Sequence, residues 1–199
     1  MTGKGPVPYL VNDLVPDLVL ETQRLVLRTI TEDDVADHDR HLNTPAVMAR
    51  LGGVMERHQI EARHARGMAM YAKDGFSFLF MIEKETGEMV GYGGIKWVDN
   101  PAAPNIGDHE IGWIVREDRW RRGYAYEAVQ AILGWAFGRI GAPHVVALTG
   151  ESNVGSWKLM EKLGMERRDD LEFTDPDYPE KDNPTIQYSL TKEQWETNT

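Results

Sequence analysis

The residues in this chain with the clearest chemical use lie between Arg119 and Tyr126. Arg119-Trp120-Arg121-Arg122-Gly123-Tyr124-Ala125-Tyr126 follows a strand-like run, Glu110 to Val115, and opens a strongly amphipathic helix. A junction of this kind can hold a pyrophosphate. Glycine lets the backbone approach an anion closely, consecutive N–H groups turn inward as a nest, and the positive end of the helix points at the bound charge. Arg119, Arg121 and Arg122 add countercharge, and Gly123 at the helix mouth separates the run from an ordinary charged turn. Further on, Asn153 to Met165 reads as a short helix with a polar start and a glycine stop at Gly164. Asn153 can cap that helix, bind a ligand, or do both.

Elements must hold these residues in place, and the hydrophobic periods show which. Leu25-Val26-Leu27-Arg28 reads as a strand, after which Thr31 caps an acidic helix start and Thr44 caps a second one, with Pro45 at its first position. Ile60, His64, Gly67, Met68 and Tyr71 recur at helical spacing. The period then shortens: Phe78 to Ile82, a turn at Glu85 to Glu88, and Met89 to Tyr92 make a hairpin, with Gly93-Gly94 expected as a bulge. After the strand Glu110 to Val115, the residues Ala125, Ala128, Val129, Ile132, Leu133, Ala136 and Phe137 form one apolar stripe that ends at Gly141. His144 to Thr149 is a short buried strand, and the intervening helix makes a crossover that favours parallel pairing. Thr185 to Leu190 is a final strand. The expectation is an α/β (mixed α+β) fold: residues 1–19 as an N-terminal leader or arm and 20–199 as a single domain.

Composition narrows the function. With no cysteine the chain has no disulfide framework, no thiolate nucleophile and no cysteine-ligated metal, which fits a reducing cytosol. The histidines, His38, His41, His58 and His64 among them, form no HExxH pattern, so no metal site is read. A net charge of −10 argues against nucleic-acid binding and favours a neutral or cationic substrate. No signal peptide or membrane span is read, so no membrane partner is expected and a cytoplasmic location is.

Together these motifs resemble the GNAT superfamily of acyl-CoA N-acyltransferases, in particular its branch similar to ribosomal-protein N-terminal (alanine) acetyltransferases. The carriers are Leu20-Glu21-Thr22-Gln23-Arg24-Leu25-Val26-Leu27-Arg28, Glu110 to Val115, the turn from Trp120 to Ala128, and Asn153 with Ser156 and Lys162-Leu163-Gly164-Met165. The resemblance runs from about residue 20 to 190. It implies a mostly antiparallel twisted sheet splayed at an acetyl-CoA site, with helices on both faces. Trp113, Ile114 and Val115 would pair with the pantetheine arm. Arg121, Arg122, Gly123, Tyr124, Ala125 and Tyr126 would cradle the pyrophosphate, and Asn153 would organise the thiol end with Ser156 beside it. Two positions depart from the family pattern: Trp120 stands where Gln or Arg is frequent, and Met160 where many relatives carry a tyrosine that protonates the leaving thiolate. Ser156 becomes the substitute acid, with bound water as the alternative.

The implied reaction moves an acetyl group from acetyl-CoA to a primary amine by direct transfer. The amine is mostly protonated near neutral pH and must lose a proton first. Glu110 and Glu172 are the candidate bases, although a glutamate at a strand start also serves simply to face solvent. Asp169, Asp170, Asp175 and Asp177 form an acidic rim that could attract a cationic amine. A protein N-terminus, a polyamine or amino acid, and an aminoglycoside-like drug all remain open as acceptors. The bulk of Phe78, Phe80 and Trp113 favours acetyl over a longer acyl group. The competing reading is a non-catalytic acyl-CoA-binding sensor or interaction module. An exposed final strand and the apolar leader could support a homodimer.

Overall fold

The computed structural model describes residues 18–198. The expected leader therefore lies outside the described residues up to residue 17, and the first strand, β1, runs Leu18–Glu21. The other strands are β2 (Leu25–Arg28), β3 (Phe78–Glu83), β4 (Met89–Trp97), β5 (His109–Val115), β6 (His144–Gly150), β7 (Glu166–Arg167) and β8 (Thr185–Thr191). They form one 8-stranded sheet in the order β1-β2-β3-β4-β5-β6-β8-β7. Every pairing is antiparallel except β5 with β6.

That parallel pair is joined by the crossover helix α4 (Tyr124–Trp135), as the alternation of strand and apolar helix requires. Ala128, Val129, Ile132 and Leu133 on α4 are fully buried against Leu25, Met81, Ile111 and Ala147 of the sheet. The helix continues as a π-helical turn, Ala136–Ile140, and stops at Gly141 in the left-handed conformation. On the opposite face lie α1 (Val35–His41), the short α2 (Pro45–Met48) and α3 (Arg57–Asp74), so helices cover both faces as expected. Thr31 begins the turn before α1, its N–H bonded to Asp34 at 2.8 Å, and the Thr44 hydroxyl caps α2 by accepting from Val47 at 3.3 Å. Helix α5 (Val154–Lys162) follows β6, and α6 (Lys192–Asn198) closes the described chain.

Two expectations are corrected. The bulge falls between Met81 and Ile82 of β3, where Met81 faces Gly91 and Ile82 faces Met89, while Gly93 and Gly94 pair in regular register with Leu79 and Phe78. Those glycines answer a different need. A Cβ on Gly93 would sit 2.6 Å from the Gly112 carbonyl, so close approach between β4 and β5 excludes a side chain there. The final strand is not exposed either: β8 lies between β6 and β7 and is buried from Thr185 to Leu190, which removes it as a pairing edge for a dimer.

Candidate active site

The site grows out of the one parallel pairing in the sheet. Strands β5 and β6 meet at a single register pair, Glu110 with Val146, and beyond it they part. Because the two strands run the same way, the helices that follow them start at the same end of the sheet. The mouth of the split is therefore flanked by the N-terminus of α4, at Gly123, and that of α5, at Asn153. A crevice at the carboxyl ends of parallel strands is where α/β sheets bind ligands.

One wall of the split is the free edge of β5. The Arg116 N–H donates to the Val90 carbonyl at 3.0 Å, so by alternation the N–H groups of Ile114 and Gly112 face β4, and those of Trp113 and Val115 face the split. The Val115 carbonyl points the same way and accepts the Trp120 indole N–H at 2.7 Å. Nothing about Trp120 in the sequence signalled that bond.

The turn that follows is built for an anion. Arg121 has φ 63° and is the only non-glycine residue with positive φ among the described residues, and Gly123 has φ 83°. From Arg121 to Tyr126 the backbone N–H groups donate to no acceptor among the described residues, and the helical bonding resumes with Glu127 to the Gly123 carbonyl at 3.1 Å. Such a run of donors at a helix N-terminus is a nest with the helix's partial positive charge behind it. Arg121, Arg122 and Gly123 are exposed, and Ala125 and Tyr126 half-buried. The Tyr124 side chain is buried instead and donates to the Glu83 carboxylate, so only its backbone faces the turn. At the C-terminal end of α5, the Lys162 ammonium sits 4.3 Å from the centre of the Tyr126 ring. Arg119 does not join the nest: it pairs with Glu88 at 2.8 Å.

Asn153 occupies the N-cap position of α5 but makes no side-chain capping bond, although its carbonyl accepts from Ser156 at 3.0 Å and Trp157 at 3.3 Å. Neither the Asn153 amide nor the Ser156 hydroxyl has a side-chain partner among the described residues, and both residues are half-buried beside the split. Met160 is 2% exposed and packs into the core.

The candidate bases are kept apart. Glu110 stands at the apex of the split, directly opposite Lys96 on β4, whose ammonium lies 2.9 Å from its carboxylate and 3.0 Å from Asp99. Burial pushes the Glu110 carboxyl above the ordinary range, with the Lys96 charge opposing. Lys96 was missed because a cross-strand partner is legible only once the register is known. Glu172 lies beyond β6 and β8, where it accepts from Arg167 at 2.7 Å, and Arg167 also bonds Glu151 at 3.2 Å. Arg167 pairs in register with Tyr188 and so shares the α4 face, whereas Glu110 shares the opposite face with Val146 and Ser189. Phe80 is fully buried against His64 and Tyr92 and forms no wall of the split. Among the described residues no group of acidic or histidine side chains could hold a metal, and no helix is long and apolar enough to cross a membrane.

Comparison with known proteins meets this geometry. The acetyltransferase (GNAT) domain family matches residues 24–166. The Bacillus subtilis (strain 168) protein YkkB is 30% identical over 155 residues, 73% of this chain and 84% of YkkB. The uncharacterized N-acetyltransferase YnaD of the same organism is 38% identical over 64 residues, and the match spans 31% of this chain and only 38% of YnaD's length. Among solved structures, an acetyltransferase from Agrobacterium tumefaciens str. C58 is 25% identical with a TM-score of 0.70, covering 94% of this chain and 99% of its own.

Proposed function

Since the chain belongs to the GNAT acetyltransferase family, whose members use acetyl-CoA, we propose that it moves the acetyl group of acetyl-CoA directly to a primary amine. The observation that carries this reading is the run of N–H groups from Arg121 to Tyr126 that donate to no acceptor among the described residues, beside the edge of β5 that faces the split. The nest and the α4 N-terminus would hold the pyrophosphate, and the Trp113 and Val115 N–H groups would bond the pantetheine or polarise the thioester carbonyl. Asn153 and Ser156, at the other lip and without a side-chain partner among the described residues, would meet its thiol end.

In the reaction the amine nitrogen bonds to the thioester carbon, the C–S bond breaks, and the amine proton leaves through a base while the thiolate takes a proton from an acid. Glu110 is the better base: it stands at the apex where the strands part, faced by the single ammonium of Lys96. Glu172 is already occupied by Arg167. Ser156 supplies the acid, directly or through water. With no cysteine in the chain, no thioester enzyme intermediate arises.

Buried Met160 supplies no hydroxyl and keeps a second reading in play, a sensor that binds acetyl-CoA without turnover. Thiol release from acetyl-CoA, followed across N-terminal peptides, polyamines, amino acids and aminoglycosides, separates the two. Turnover with any amine supports the enzyme; tight binding with none of them supports the sensor. A folded Gly123→Glu variant that bound acetyl-CoA normally would remove the proposed site itself.

A further inference from the structure

The opening motif, Thr22-x-Arg24, carries part of the family resemblance without an assigned role, and it lies against the nest. Glu127 is the only acidic residue in the first turn of α4. Its charge favours the helix but repels any anion bound at the same end. Thr22 and Arg24 occupy that carboxylate: Oε1 accepts the Thr22 hydroxyl at 2.6 Å and the Arg24 N–H at 2.7 Å, and Oε2 accepts the Arg24 Nε at 2.6 Å. Burial alone would raise the Glu127 carboxyl, but these donors hold it below the ordinary value, so it stays charged.

Arg24 reaches further. Its Nη1 donates to the Arg122 carbonyl inside the turn at 3.0 Å. The guanidinium lies over the Tyr124 ring, 4.4 Å from its centre. Its Nη2 stands 3.4 Å from where a Cβ on Gly123 would be. The planar fork of arginine makes these diverging bonds at once, which a lysine cannot.

We propose that Arg24 is a cofactor-positioning residue: it fixes the turn through the Arg122 carbonyl and cancels the Glu127 charge that would otherwise oppose the cofactor's pyrophosphate. The inference rests on the assignment of that turn to acetyl-CoA. It makes the N-terminal hairpin part of the cofactor site, although it lies about a hundred residues away in sequence.

Coenzyme A binding by calorimetry on the full chain tests it, with Arg24→Gln, Arg24→Lys, the double variant Arg24→Gln with Glu127→Gln, and Gly123→Glu as a site control. Loss of one charge-assisted anchor is expected to weaken binding by roughly tenfold or more in Arg24→Gln. Arg24→Lys, which keeps the charge without the fork, should lose part of it. The double variant should recover affinity over Arg24→Gln because the unopposed carboxylate is gone. Steady-state kinetics should show a raised KM for acetyl-CoA with a far smaller change in kcat, a split that general loss of stability would not produce. If Arg24→Gln and Arg24→Lys both bind as wild type while Gly123→Glu does not, the role of Arg24 is wrong and the site stands. If the double variant binds no better than Arg24→Gln, charge cancellation is overturned. If all variants bind normally, the turn itself is not the cofactor site.

Discussion

At the scale of single residues, a base that takes a proton from an ammonium must be ionised before the amine arrives. Glu110 meets opposed demands: burial raises its carboxyl, and Lys96 at 2.9 Å pulls it back. Glu110→Gln is expected to lower kcat by about a hundredfold or more and to erase the acidic limb of the pH–rate profile, which in the wild type should lie above the ordinary glutamate value of about 4.3. A variant that kept both rate and limb would leave deprotonation to bulk water. Ser156→Ala should lower kcat more than it raises the KM for acetyl-CoA, the mark of an interaction made in the transition state; an unchanged kcat would return the proton to a bound water. Arg121 carries a different kind of information. Left-handed backbone costs a non-glycine residue roughly 1–2 kcal/mol, so Arg121→Gly should raise stability toward denaturant by about 1 kcal/mol while weakening coenzyme A binding. Residue types at the turn were legible in the sequence because arginine and glycine at a strand-to-helix junction have few other uses. The Trp120 bond to the Val115 carbonyl and the Lys96 partner of Glu110 were not, since both depend on which strand lies opposite which.

At the scale of elements, the meeting of α1 and α3 hides a pair of histidines. His38 Nδ1 and His64 Nε2 are 2.9 Å apart, both rings are buried, and His38 Nε2 and His64 Nδ1 have no hydrogen-bond partner among the described residues. Burial first, then the neighbouring His64, pushes His38 down to about 3, and burial lowers His64 as well. The unfolded chain protonates these rings near 6.5, whereas the folded one keeps them neutral. The unfolded state therefore binds more protons below about 6.5, and stability falls as pH falls, from near 6.5 down towards 3. His38 alone contributes a slope of about 1.4 kcal/mol per pH unit over that window. Denaturant unfolding between pH 7.5 and 5, above the range where carboxylates such as Asp34 titrate, should show it, and His38→Gln should flatten the slope. An equal slope in that variant would mean that His38 titrates alike in both states. Helical spacing had already put His64 on the inner stripe of α3. What spacing could not give was the partner, because α1 and α3 come together only through packing on the sheet.

At the scale of the molecule, the sheet is a continuous surface with one opening, and its position follows from chain order. A strand, a crossover helix and a second parallel strand were readable between Glu110 and Thr149 because the apolar period changes from two to 3.6 and back. The short β7 and the burial of β8 were not readable, since only the tertiary order shows that the last strand is inserted between β6 and β7. One consequence is a separation of binding from chemistry: the phosphate turn lies at the mouth of the split and Glu110 at its apex. A ligand that binds only the folded state at a hundred times its dissociation constant stabilises by about 2.7 kcal/mol. For a chain of this size that raises the melting temperature by roughly 5–10 °C. Coenzyme A should produce such a shift in the wild type and in Glu110→Gln, since the apex carboxylate does not hold the cofactor, and none in Gly123→Glu, where a carboxylate replaces an exposed glycine at φ 83°. Thermal unfolding with and without coenzyme A decides it. A shift lost equally in Glu110→Gln and Gly123→Glu would mean that cofactor and base are not separate regions of the split, and the assignment of Glu110 to proton transfer would fall with that separation.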